Sequence, residues 1–164
     1  MIRRLQIWLF IGVNLFGATL YGTVALPAGG GPDVAFFRHG VAMMNMKRWS
    51  AAERFFLRAL SKNEGRAETH TNLGYVLRKQ GRERHAEAEK HYDRALALDP
   101  DLAAAHEYLG VLYVITGRTA KAQEALAVLT KLQSPLAADL RWVIDHGREP
   151  SPAEPGEGGG EAWW

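Results

Sequence analysis

The amino-acid sequence predicts an all-α chain: an N-terminal transmembrane (or signal) helix, then a short helical-hairpin solenoid with a C-terminal capping helix and a disordered tail. Three observations carry that prediction. First, three stretches fall into one register about 34 residues apart, with Gly40, Gly74 and Gly110 aligned, Ala52 with Ala88 and Ala122, and Phe56 with Tyr92 and Leu126. A period of this length marks an array of helical pairs, each of which buries its apolar face only against its neighbours. Second, residues 5–26 are 22 positions without a charge, placed directly after Arg3 and Arg4. Third, residues 147–164 hold three prolines, five glycines and four glutamates. That composition cannot bury enough apolar surface to fold alone.

In chain order, residues 1–28 are the anchor or signal segment. Only Gln6, Asn14, Thr19 and Thr23 interrupt the apolar run with polar side chains. A helix of this length crosses a hydrocarbon core about 30 Å thick. A cleaved signal normally has a shorter apolar region of about 7–15 residues, so the length favours a retained span. Cleavage is the alternative, because Thr23-Val24-Ala25 and Leu26-Pro27-Ala28 both end in a small residue. Arg3 and Arg4 precede the segment and the nearest basic residue after it is Arg38. The positive-inside bias therefore keeps the short leading segment in the cytoplasm and places the repeats on the periplasmic side. The expected location is the inner membrane as a single-pass protein, or the periplasm as a soluble protein after cleavage. Asn14, Ala18 and Gly22 recur every four residues along one helix face, where small side chains and an amide suit packing against another helix in lipid.

Residues 29–32 form a short Gly-Pro link. The repeats then occupy residues 33–66, 67–102 and 103–136. In the first, Arg54-Phe55-Phe56-Leu57-Arg58-Ala59-Leu60 is an amphipathic second helix with Ala52, Phe56, Ala59 and Leu60 on one stripe. Lys47-Arg48 stands where the later units have a turn glycine. The second unit carries two extra residues, since Gly81 to Ala88 spans seven positions where Gly117 to Ala122 spans five. In the third the large aromatic is softened to Leu126, and Pro135 arrives one residue late. Residues 137–147 form the capping helix, with Leu136, Leu140, Val143 and Ile144 at helical spacing and Gly147 as its stop. Residues 148–164 are the flexible acidic tail.

The stretches Asn72-Leu73-Gly74-Tyr75-Val76-Leu77, Gly81-Arg82, Tyr92-Asp93-Arg94-Ala95-Leu96 and Asp99-Pro100 resemble the tetratricopeptide repeat (TPR) family. The resemblance covers roughly residues 33–136 and implies two antiparallel helices per unit. Gly74 and Gly110 then sit where the second helix crosses close to the first, Ala88, Ala95 and Ala122 supply the facing small surface, and Phe56 and Tyr92 are the knobs between them. Gly81, Gly117 and Pro100 break the chain.

The resemblance also implies a binding function on the concave wall built by the first helix of each pair. By register, the partner-binding groove draws on Phe37, Arg38, Val41 and Asn45, on Asn72, Tyr75, Arg78 and Lys79, and on Glu107, Tyr108 and Val111, with Val34, Met44, Thr71 and Val114 beside them. Some family members grip a peptide's terminal carboxylate with a clamp of lysines and asparagines. Only Asn72 matches that clamp here, while Phe37, Val41, Ala104 and Tyr108 occupy its other places. The groove reads as apolar and aromatic at both ends with a basic middle, suited to an amphipathic helix or an extended peptide.

Charge is graded along the chain. Residues 38–94 carry 13 basic against 7 acidic side chains, residues 95–148 carry 5 against 6, and Glu149, Glu154, Glu157 and Glu161 come after them. The basic part suits anionic headgroups or an acidic partner. No nucleic-acid reading motif occurs, so nucleic acid is not an expected partner. Zero cysteines exclude a disulfide framework, a thiolate metal site and covalent c-type haem attachment. The six histidines make no metal pattern: His70 and His106 are equivalent positions in successive repeats, and His85 and His91 point to different helix faces. No nucleophile, acidic pair or phosphate loop stands in a catalytic frame, so the sequence predicts no enzyme, no cofactor and no metal. Trp163 and Trp164 are the apolar exception in the tail, each able to bury about 150–250 Å². They are expected to dock in the protein's own groove, on a neighbouring subunit or at a membrane interface.

These features support two functional readings. One is a non-catalytic, membrane-anchored interaction scaffold that binds a peptide or helix of a partner in envelope complex assembly. The other is a permanent accessory subunit of a membrane complex, held by the Asn14, Ala18 and Gly22 face and by Trp163 and Trp164.

Overall fold

The computed structural model describes residues 31–150. The expected span, its Asn14, Ala18 and Gly22 face, and the Trp163-Trp164 pair lie outside the described residues. Among the described residues no helix is long and apolar enough to cross a membrane.

Among the described residues seven helices succeed one another: α1 (Pro32–Asn45), α2 (Trp49–Leu60), α3 (Ala67–Gln80), α4 (His85–Leu98), α5 (Ala103–Ile115), α6 (Thr119–Lys131) and α7 (Leu136–His146). They pair as α1 with α2, α3 with α4, and α5 with α6. The inner layer is α1, α3, α5 and α7, because α3 touches both α1 and α5, and α5 touches α7. Helices α2, α4 and α6 form the outer layer, each also packing on the next inner helix. Helix α7 meets α5 and α6 as α5 meets α3 and α4, so it stands where the first helix of a fourth unit would.

The aligned small and large residues explain why the pairs close. Ala52, Phe56, Ala88, Tyr92 and Ala122 have no exposed surface. A Cβ built on Gly40 would lie 2.5–2.9 Å from three ring atoms of Phe56, and one on Gly74 2.7–3.0 Å from three ring atoms of Tyr92. Each glycine is thus the floor on which an aromatic ring rests, and any side chain would lift the second helix off the first.

The third unit departs from the expected packing. Leu126 is only half-buried, and the residue against Gly110 is Leu140 of α7, whose side-chain atoms would lie 2.6–3.3 Å from an added Cβ. A leucine does not span the gap that a phenyl ring fills, so the capping helix inserts its own branched side chain. Leu129, Leu140, Val143 and Val111 close a separate core around it.

The turns obey local stereochemistry. In the first hairpin Lys47 takes the left-handed backbone (φ 55°) that Gly117 (φ 77°) supplies in the third. The two extra residues of the second unit form a 3-10 turn, Arg82–Arg84, directly ahead of α4. Gly147 ends α7 in the left-handed conformation (φ 66°), its N–H donating to the Val143 carbonyl at 2.9 Å.

Helix α3 sees neighbours on every side and is buried almost throughout, polar residues included. The Thr71 hydroxyl donates back to the Ala67 carbonyl at 3.0 Å. His70 Nε2 lies 3.1 Å from the Glu64 carbonyl and His70 Nδ1 lies 3.0 Å from His91 Nδ1. The carbonyl only accepts, so Nε2 carries the His70 proton and its Nδ1 accepts from His91. Burial pushes both imidazoles below their ordinary pKa.

Candidate peptide-binding groove

The inner face is built around an aromatic ladder. The Tyr75 ring on α3 lies 5.0 Å from that of Tyr108 on α5 and 6.0 Å, edge-on, from that of Trp49 at the start of α2. Tyr108 continues inward to Tyr92 at 6.3 Å. The register brings Tyr75 and Tyr108 together because they sit one position after Gly74 and one before Leu109 in adjacent inner helices. Ring pairs at these separations contribute beyond their buried area.

Two cations stand over the ladder. Arg78 and Lys79 lie 5.3 and 5.5 Å from the Tyr75 centroid. Both bind one carboxylate, that of Glu149, which comes just after α7 and reaches back across α5 to α3. The Arg78 side chain is 3% exposed and that of Glu149 30%. Burial works to raise the Glu149 carboxyl, but Arg78 and Lys79 overcome it and hold it below the usual carboxylate range. Burial likewise opposes the Arg78 charge, and the neighbouring Glu149 and Glu107 carboxyls favour it. The Arg78 Nε and the Tyr92 hydroxyl are both buried and lack a hydrogen-bond partner among the described residues.

Glu107 is the second acid of this cluster. Burial pushes its carboxyl up to about 7, against the pull of Arg78 and with help from the nearby Asp139 and Glu149 charges. A carboxyl whose folded pKa is raised gives its full stability below the unfolded value, near 4.5, and loses it as pH rises through about 7. Glu107→Gln is therefore expected to melt progressively higher than the native chain as pH rises from 4.5 to 7, and then to hold a constant advantage. Thermal melts of both proteins across that range check this. An unchanging difference would mean that folding does not raise the Glu107 carboxyl above its unfolded value.

The remaining predicted groove residues divide by depth. Phe37 is half-buried, tilted against Phe56 at 5.9 Å and covered by the Arg66 guanidinium at 5.5 Å. Val41 is half-buried, and Arg38 and Asn45 are exposed. Asn72 is 7% exposed. Val111, Asn72, Val114, Met44 and Thr71 are corrections to the expected groove: all of them are buried. Val111 and Val114 belong to the core closed by α7, and Met44 to the core around Phe56 and Tyr92. Sequence reasoning missed Glu149 and Trp49 as parts of the face. Arg78 and Lys79, which stand outside the clamp positions, hold that Glu149 carboxylate.

Beside Lys79 opens a cavity of about 590 Å³ lined by Lys47, Arg48, Trp49, Arg54, Lys79 and Gln80, among others. Among the described residues Lys47, Arg48 and Arg54 form no ion pair. No group of three or more His, Asp or Glu side chains able to hold a metal occurs among the described residues.

Paired antiparallel helices stacked in two layers, with inner glycines under outer aromatic knobs, form an all-α, TPR-like solenoid. Residues 82–117, from the 3-10 turn through α4 and α5, match the family model described as TPR repeat. No curated protein sequence matches the chain. Among solved structures it is similar to the Arabidopsis OM64 TPR domain, at 18% identity and a TM-score of 0.62, covering 70% of this chain and 94% of that one. It is also similar to the second TPR of Spaghetti (RPAP3) bound to the HSP90 peptide SRMEEVD, at 18% identity and a TM-score of 0.57, covering 61% and 91%. A third is the type III secretion translocator chaperone SycD of Yersinia enterocolitica, at 12% identity and a TM-score of 0.62, covering 74% and 92%. At these identities the likeness is one of fold.

Proposed function

We propose that this chain is a non-catalytic protein-interaction scaffold that receives an acidic peptide segment of a partner on its inner face. The observation that carries the reading is the seat of Glu149: a carboxylate on a stretch of chain outside any helix, held by Arg78 and Lys79 against the Tyr75 ring. The face accepts an acidic side chain and offers Tyr75, Tyr108 and Trp49 as an apolar wall beside it. Arg38 and Asn45 are exposed on the neighbouring helix and supply the polar rim. The acidic peptide carried by one structural neighbour supports the same ligand chemistry.

In this reading residues 5–26 hold the scaffold in the inner membrane with the repeats on the periplasmic side, where it serves assembly of an envelope complex. Its support is the uncharged length and the arginines before it. The Asn14, Ala18 and Gly22 face favours a second reading, a permanent subunit of a membrane complex. Gentle extraction and then intact-mass measurement separate the two, since only a permanent subunit brings stoichiometric membrane companions.

The binding reading is tested by titrating the full chain with labelled SRMEEVD and with its glutamate-to-glutamine counterpart. Saturable binding of the acidic form is expected, weakened about tenfold by Lys79→Gln and by Tyr75→Ala, roughly 1.4 kcal/mol each. Equal binding of the two peptides, or variants that bind like the native chain, would refute it.

A further inference from the structure

We infer that residues 151–164 of this chain are themselves a ligand of the face: they run from the Glu149 anchor into the adjoining basic cavity, with Glu154 and Glu157 answering Lys47, Arg48 and Arg54. The chain thereby occupies its own groove until a partner's acidic segment displaces it. The displacement rests on the peptide-binding reading; the docking does not.

Six observations converge. The segment is already tethered there, because Glu149 is bound and Pro150 is the last described residue. The cavity is continuous with that anchor, since Lys79 both holds Glu149 and lines the cavity. Charge is complementary: Lys47, Arg48 and Arg54 are unpaired among the described residues, while residues 151–164 carry Glu154, Glu157 and Glu161 and no basic residue. The reach suffices, because five residues beyond Glu149 extend up to about 17 Å and the whole segment has a coil span of roughly 20 Å. The cavity, about 590 Å³, is wide open to solvent, so an extended stretch of chain enters it without any rearrangement of the helices. Trp49 lines the cavity as well, giving Trp163 and Trp164 an aromatic surface within the same reach. Tethering raises the local concentration of these glutamates to about the millimolar range, so weak individual contacts suffice to fill the site.

The chain lacks cysteine, so an engineered pair reports cleanly. In the full chain, Ser50→Cys at the cavity and Gly156→Cys in the segment are combined and mildly oxidised. A disulfide within one molecule is expected, forming about tenfold faster than for Ala97→Cys, on the exposed side of α4, paired with the same Gly156→Cys. Adding Glu154→Gln, Glu157→Gln and Glu161→Gln is expected to bring the rate down to that control, and these substitutions lie outside the repeats and leave their fold intact. A disulfide only between molecules, rising with concentration, would overturn occupancy in cis in favour of exchange between copies. Equal rates for the two pairs would also overturn it. The labelled SRMEEVD peptide supplies the second arm: the triple glutamine variant is expected to bind several-fold tighter than the native chain. A rapid internal disulfide with no peptide binding in any variant would leave the docking standing and remove the binding reading. Equal peptide binding with and without the glutamates would remove the proposed competition.

Discussion

Tyr92→Ala is expected to destabilise the solenoid by about 3–5 kcal/mol, whereas Tyr92→Phe costs about 1 kcal/mol at most. The ring is fully buried at the centre of the core that joins the first two hairpins, and it rests on Gly74, where no side chain fills in behind it. Truncation therefore leaves a cavity that α3 and α4 cannot collapse without breaking their register. A loss of that size is a large fraction of the roughly 5–15 kcal/mol that holds a domain folded. The hydroxyl adds nothing comparable: it is buried near Arg78 and has no hydrogen-bond partner among the described residues. Removing it keeps the packing of the ring on Gly74 intact. The floor gives an independent check. Gly74→Ala should cost about 1–3 kcal/mol in the native background and less in combination with Tyr92→Leu, because the clash is with the ring. Chemical denaturation of these variants beside the native chain measures both statements. Additivity of the glycine and tyrosine changes would show that the two residues do not support one another.

The repeat was legible because its signal is redundant. Small residues at Gly40, Gly74, Ala52 and Ala88 and rings at Phe56 and Tyr92 constrain the same crossing from both helices, so the alignment of each confirms the other. Where the redundancy fails, the sequence misleads: Leu126 holds the ring's register position, yet Leu140 from another helix fills the space over Gly110. Period alone does not reveal that substitution, since it depends on how α7 settles against α5 and α6.

The groove was legible in the same partial way. Tyr75, Tyr108, Arg78 and Lys79 share a face because register places them there. Depth is set by the neighbouring helices instead, which is why Val111 and Met44 are buried while Arg38 and Asn45 are exposed. Glu149 was the hardest to anticipate. Its contact with Arg78 joins positions 71 residues apart and depends on the direction in which the left-handed Gly147 sends the chain after α7. The His70–His91 contact, by contrast, was available in principle from the antiparallel pairing of α3 with α4.

Glu149→Ala is expected to destabilise the folded chain by about 1.5–3 kcal/mol, the range for a hydrogen bond to a charged group, because it strands the guanidinium of Arg78. Arg78 is the more deeply buried partner, so the loss comes chiefly from that side and little from Lys79, whose side chain is 29% exposed and better hydrated. Arg78→Met in the same background should recover part of the loss, since the unpaired buried charge disappears and the aliphatic stem is kept. The pH dependence comes from the depressed carboxyl of Glu149. Its contribution is fully present above the unfolded value near 4.5 and is lost as pH falls through the lower folded value. The native chain should thus lose stability in acid below about pH 4.5 more steeply than Glu149→Gln. Salt should weaken the pair only in part, because mobile ions reach the Lys79 side and not the Arg78 side. Melting the native chain, Glu149→Ala, Arg78→Met and the double variant at neutral and acid pH, with Glu149→Gln alongside for the acid limb, measures the coupling directly. If the two substitutions simply add and the acid limbs coincide, the carboxylate seen between Arg78 and Lys79 contributes no binding energy, and the acidic-ligand reading of this face loses its support.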